Sequence, residues 1–209
     1  MKICGVRTIE EAEAAVAAGA DALGFNFWPV SPRFVAPEEA SRIVDALPAM
    51  VSAIGVFVNE DAGRVRDIVS QVGLSAVQLH GDEPASYCEE LSPIKVIKAF
   101  RVGNDFRPGA VRDYPVSAVL LDAKVEGRYG GTGERFSWDL AIQTKRFASV
   151  ILAGGLKVEN VAEAITFVRP FAIDVCSGVE SEPGRKDLNK LREFMEEVAQ
   201  ANGEVLSTG

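Results

Sequence analysis

Short apolar runs recur along the chain at a steady interval. They read KIC (2–4), ALGFNF (22–27), SAIGVFV (52–58), AVQLH (76–80), VIKAF (96–100), AVLLD (118–122), SVILAGG (149–155) and FAIDVC (171–176). Eight runs in 209 residues are spaced about 26 residues apart, the size of a strand-plus-helix unit. The runs are continuous rather than alternating, as a strand covered on both faces requires. Between them the period changes to that of a helix. Thr8 and Glu11 make a capping box ahead of AEAAVAAG, and Gly19 closes that helix. Pro37 opens a helix with Ala40, Ile43, Val44 and Leu47 on one face. Val65, Ile68, Val69 and Val72 repeat the pattern before Gly73, and Leu188, Leu191, Met195 and Val198 stripe the last helix. The fifth connection, RVGNDFRPGAVRDYP, has room for one or two turns only. Residues from about 203 to 209 read as a C-terminal tail.

This alternation predicts an α/β fold: a single-domain (β/α)8 barrel of the TIM type over 1–209, with short loops. An open doubly wound sheet is the alternative. Against it, the first turn, CGVRT, lacks GxGxxG, and GxxxxGK[ST] appears nowhere.

Composition narrows the partners. Net charge is −8 with no basic stripe, which argues against nucleic acid. No stretch approaches the ~20 apolar residues of a membrane span, and no signal or transit peptide is apparent. Three cysteines without CxxC spacing suit a reducing cytoplasm rather than a disulfide framework. A small molecule is the expected partner, and a monomer or homodimer the expected assembly.

In a barrel of this kind chemistry sits at the C-terminal strand ends. Here those ends carry Cys4, Asn26, Gln78 with His80, Lys98 or Arg101, Asp122, and Asp174 with Ser177. A ring of polar residues at matching positions is costly unless it is used or paired. LAGGL follows the seventh run and CSGVE the eighth, where this fold binds phosphate through backbone N–H groups. The glycine-rich stretch after Asp122, EGRYGGTGERFSWD, is placed as a lid would be. In FWPVSPRFV, Pro29 and Pro32 stiffen a loop whose Arg33 is a good fork for a carboxylate. Cys4, His80, Cys88 and Cys176 lack ligand spacing for zinc, so no metal is expected.

KICG, FWPVSPRFV, VQLHG, LLDAKVEGRYGGTGERFSW, ILAGGLKVENV and IDVCSGVE, in this order over essentially the whole chain, resemble the phosphoribosylanthranilate isomerases of tryptophan biosynthesis. The resemblance implies a cofactor-free barrel that converts N-(5′-phosphoribosyl)anthranilate to 1-(2-carboxyphenylamino)-1-deoxyribulose 5-phosphate. It implies that Cys4 is the general base and Asp122 the general acid. Arg33 would hold the anthranilate carboxylate, and Gly154, Gly155, Ser177 and Gly178 would grip phosphate. Asp174 would lie near the sugar, and His80 would stand among the substrate contacts. Asp122 must arrive in its acid form, which partial desolvation favours. Cys4 must ionise, which calls for a local positive field, with Lys2 the nearest source. Cys176 departs from the small polar residue common in the family, and closure of the barrel would bring it near Cys4. A sister isomerase of histidine biosynthesis is the alternative enzyme, although it uses two aspartates and shows half-barrel symmetry. A barrel that binds its ligand without catalysis is the alternative outside enzymes, although it would need a broken acid–base pair.

Overall fold

The computed structural model describes residues 1–103, 105–123 and 137–207. Among these, eight parallel strands close a barrel in sequence order: β1 (Lys2–Cys4), β2 (Ala22–Asn26), β3 (Ser52–Phe57), β4 (Ala76–Leu79), β5 (Val96–Val102), β6 (Ala118–Ala123), β7 (Val150–Leu152) and β8 (Ala172–Val175). Helices α1 (Ile9–Ala17), α2 (Pro37–Asp45), α3 (Ala62–Val72), α4 (Ala85–Glu90), α5 (Trp138–Thr144) and α6 (Val158–Val168) alternate with the strands, and α7 (Leu188–Ser207) follows the last. The weak fifth connection is a 3-10 turn, Pro108–Asp113. The stretch 124–136, read above as a lid, lies outside the described residues. Helix α7 continues through 203–207, past the point where the sequence suggests a tail, and 208–209 lie outside the described residues. No helix among the described residues is long and apolar enough to cross a membrane.

Local chemistry explains the helix ends. Thr8 caps α1 by accepting from the Glu11 backbone N–H at 3.1 Å. The box is only half closed. The Glu11 carboxylate turns instead to the backbone N–H groups of Arg7 and Lys186, both at 2.9 Å, and so ties α1 to the far end of the chain. Pro37 takes the first turn of α2, and Asp61 caps α3 by accepting from the Arg64 N–H. Gly73 ends α3 in the left-handed region.

Strand alternation sorts the core into two layers. Ile3, Leu23, Phe25, Val77, Leu79, Val119, Leu121, Val150 and Leu152 point outward, where the helices cover them. Each such side chain stabilises the fold by roughly 1.5–3 kcal/mol when fully buried. The barrel interior is a separate, smaller cluster. Ile54, Ile97 and Ile151 come from odd strands, and Ala22, Ala76, Ala118 and Ala172 from even ones. At β1 the inward residue is Lys2, paired in register with Ala22 on one side and Asp174 on the other. Gly24 makes room for it: a Cβ there would lie 2.8 Å from the Cys4 Sγ and 3.1 Å from the Lys2 Cε.

The chain adds a feature with no counterpart in the sequence reading. After β8, a 3-10 turn (Ser177–Val179) leads into an antiparallel hairpin, β9 (Glu180–Glu182) and β10 (Arg185–Lys186). Its turn is Pro183–Gly184, with Gly184 at φ 86°. Gly184 packs so closely on Pro32 that a Cβ would stand 2.3 Å from the Pro32 carbonyl oxygen. The hairpin is thereby fastened to the loop that carries Arg33.

Candidate active site

The inward polar residues converge on a cleft at the C-terminal mouth of the barrel. Cys4, Arg33, His80, Asp122, Gly154, Gly155, Asp174 and Ser177 all line it, with Asn26, Trp28, Gln78 and Cys176. Gly178 is not among the lining residues. It lies against the β7 loop, where a Cβ would come within 1.9 Å of the Leu156 carbonyl oxygen. It therefore clamps the two phosphate-type loops together from behind.

Those loops have the backbone that the glycines suggested. Gly154 and Gly155 adopt φ 79° and 64°, which a side chain would strain. A Cβ on Gly154 would also lie 2.6 Å from the Ala123 nitrogen, at the end of β6. The Gly155 carbonyl accepts from the Asn160 Nδ2 at 2.8 Å, which turns it away from the cleft and onto α6. The turn thus joins directly to the N-terminal end of an 11-residue helix, a favourable place for an anion.

At the base of the mouth the Lys2 Nζ donates to the Asp174 Oδ1 at 2.8 Å, with both side chains buried. Burial pushes the Asp174 carboxyl up to about 6, more than Lys2 pulls it down, because Cys4 and Asp122 add negative charge nearby. Burial works against the Lys2 ammonium, but Asp174 and Cys4 together outweigh it, and its pKa is raised. Cys4 is pulled well below the ordinary thiol range. A hydrogen bond with Cys176 is the largest cause; burial opposes it, and Lys2 and Lys186 add to it.

Arg33 has a partner within the protein. Its fork is already engaged: Nε and Nη2 donate to the two carboxylate oxygens of Glu180, each at 2.8 Å. Glu180 is buried and also accepts from the Lys186 Nζ at 3.2 Å. Burial alone would raise its pKa, but Arg33 and Lys186 win and hold it low.

Opposite, the Asp122 Oδ1 accepts from the Ala123 N–H at 2.9 Å, and Oδ2 lies 3.3 Å from the His80 Nε2. The His80 Nδ1 pairs with the Gln78 Nε2 at 2.8 Å. The His80 Nε2 and the Gln78 Oε1 are buried without a hydrogen-bond partner. Cys88 sits on α4 in the outer core, apart from the other two thiols. No group of three or more His, Cys, Asp or Glu among the described residues is arranged to hold a metal.

The family model for N-(5′-phosphoribosyl)anthranilate isomerase matches residues 1–197. The chain belongs to this family. The isomerase of Trichlorobacter lovleyi is 50% identical over 202 residues, spanning 96% of this chain and 98% of that one. The crystal structure of the phosphoribosyl anthranilate isomerase from Thermus thermophilus superposes with a TM-score of 0.88 at 40% identity, covering 95% of this chain and 98% of that one. A second isomerase structure, in complex with reduced 1-(o-carboxyphenylamino)-1-deoxyribulose 5-phosphate, superposes with a TM-score of 0.84 at 43% identity, covering 95% of this chain and 97% of that one.

Glu180, the partner of Arg33, and Lys186, which donates to it, were not foreseen. The signal was present: EPGR contains a Pro-Gly dipeptide, a turn mark between two short polar segments. Polar alternation so brief does not stand out beside eight apolar runs.

Proposed function

We propose that this chain is a cytoplasmic isomerase converting N-(5′-phosphoribosyl)anthranilate to 1-(2-carboxyphenylamino)-1-deoxyribulose 5-phosphate, a step of tryptophan biosynthesis, with Cys4 as base and Asp122 as acid. One observation carries the assignment of roles. A thiol whose pKa is pulled below the ordinary range and a carboxyl on a strand three places round the ring line the same cleft, beside a two-glycine turn at a helix N-terminus.

The reaction follows from those positions. Backbone N–H groups at Gly154, Gly155 and Ser177 take the phosphate, and the Nη1 side of Arg33 takes the anthranilate carboxylate. Asp122 gives its proton to the furanose ring oxygen, and the bond from that oxygen to C1′ breaks. The nitrogen lone pair fills the gap and leaves a Schiff-base cation. That cation acidifies the C2′ proton, which the Cys4 thiolate removes. The resulting enolamine tautomerises to the ketone. Asp174, tethered to Lys2, offers its other oxygen to the sugar hydroxyls. His80 stands among the substrate contacts, with its Nε2 beside Asp122.

The test is the loss of substrate fluorescence. Cys4→Ala and Asp122→Ala should each lower kcat by about 10²–10⁴ or more, with small changes in KM. A folded Cys4→Ala protein with near-normal kcat would show that Cys4 only packs.

A further inference from the structure

Gln78 lines the cleft at the end of β4, yet no step of the reaction uses it. Its side chain is buried, and its Nε2 lies 2.8 Å from the His80 Nδ1. The other nitrogen of the His80 ring, Nε2, faces the Asp122 Oδ2 at 3.3 Å, close but not aligned as a hydrogen bond. The Asp122 Oδ1 is held separately, by the Ala123 N–H at 2.9 Å. Gly154 packs on the same oxygen, so closely that a Cβ would lie 2.9 Å from it. A buried row thus runs from Gln78 through the imidazole to the carboxyl.

The far end of the row fixes its direction. An amide nitrogen donates and cannot accept, so Gln78 bonds only to an Nδ1 that carries a lone pair. A neutral imidazole with a bare Nδ1 has its proton on Nε2. The ring therefore turns an N–H toward Asp122, not a lone pair. The other tautomer would serve an acid badly. A lone pair on Nε2 repels a carboxylate. It also accepts the O–H of a carboxylic acid, which aims that proton at the protein and away from substrate.

We propose that Gln78 is a positioning residue for the general acid: it fixes the tautomer of His80, so that the ring offers no acceptor to the Asp122 proton and donates its Nε2–H to the carboxylate once that proton has gone. The proposal rests on Asp122 as the acid and deepens that assignment. The O–H bond at Asp122 breaks, and its proton joins the furanose oxygen as the bond from that oxygen to C1′ opens. The charge left on Asp122 is met by the Ala123 N–H at Oδ1 and by the His80 N–H at Oδ2. His80 keeps its proton throughout. A donor already in place where charge develops favours the transition state over the ground state.

The experiment reads the ring directly. His80 is the single histidine of the chain, so protein labelled with 15N-histidine gives one imidazole signal. Long-range 15N–1H spectra at neutral pH tell an Nε2–H ring from an Nδ1–H ring and from a ring protonated on both nitrogens. The wild type should show Nε2–H alone. Gln78→Glu turns the donor into an acceptor and should call a proton onto Nδ1. Its kcat should fall by about 10- to 100-fold, the equivalent of one hydrogen bond to a charged group, with little change in KM. Gln78→Met keeps the length of the side chain and only removes the donor, which serves if the glutamate variant folds poorly. The Asp122 O–H then draws the lone pair to Nε2, so Nδ1–H should appear and kcat should fall by a smaller factor. A proton on Nδ1 in the wild type overturns the proposal. So does a folded Gln78→Met protein that keeps its Nε2–H ring or its kcat. Near-normal kcat in Asp122→Ala would remove the acid itself, and the proposal with it, while the tautomer of the wild-type ring would still stand.

Discussion

The barrel carries two buried lysine–carboxylate clusters, and they differ in what they leave unfinished. On the outer side of β5, the Lys98 Nζ donates to the carbonyls of Leu79, Gly81 and Ala99 and to the Glu83 Oε2, at 2.9–3.2 Å. Glu83 in turn accepts from the backbone N–H groups of Asn59 and Gly81. Charge and hydrogen-bonding capacity are both satisfied there. Beside the cleft, Lys2 has one carboxylate partner, Lys186 and Arg33 share Glu180, and the Gln78 Oε1 is buried without a hydrogen-bond partner. A saturated cluster holds loops in place. An unsaturated one holds charge in readiness for a ligand or a proton.

The largest expected effect tests the reactive side. Asp122→Ala should cost at least about 10² in kcat while its thermal unfolding changes little. Lys98→Met should do the reverse. Breaking a buried pair strands the remaining charge, at a cost of roughly 3–5 kcal/mol. Urea unfolding should show that loss in full, and kcat per folded molecule should be unchanged. A Lys98 variant that lost kcat without losing stability would erase the distinction between the clusters.

Arg33 belongs to both sorts, since Glu180 fills its fork and a ligand is proposed for Nη1. Arg33→Met should weaken substrate binding by about 1.5–3 kcal/mol, read as a higher KM. An analogue without the anthranilate carboxylate separates the two uses. If the analogue suffers the same loss, Arg33 acts only by holding Glu180.

Much of this was legible in the sequence because the barrel repeats one rule eight times. Apolar runs of strand length, ending in a polar residue, place Cys4, Asp122 and Asp174 at the mouth without any coordinate. The glycine pair after β7 could be read for the same reason. What could not be read is who faces whom. Lys2 and Asp174 are 172 residues apart and meet only because the barrel closes. The partner of Arg33 depended on a two-residue turn at Pro183–Gly184, and the job of Gly178 on how closely the β7 and β8 loops approach. These are consequences of packing between distant segments, and no local pattern encodes them.

The smallest expected effect concerns the half-closed capping box of α1, which separates the two roles within one turn of helix. The Thr8 hydroxyl satisfies one backbone N–H and touches nothing at the mouth, so Thr8→Ala should cost about 1 kcal/mol of stability. It should leave kcat/KM and its pH profile as they were. Glu11 looks like the other half of the same box, yet its second oxygen holds the backbone N–H of Lys186, the residue whose ammonium reaches Cys176. Glu11→Gln retains one acceptor and donates where it once accepted, which should cost a similar amount of stability. Unlike Thr8→Ala, it should also displace Lys186 and raise the acidic limb of kcat/KM, because Cys4 loses part of its positive surroundings. Matching pH profiles for the two variants would show that the hairpin holds Lys186 in place without help from α1.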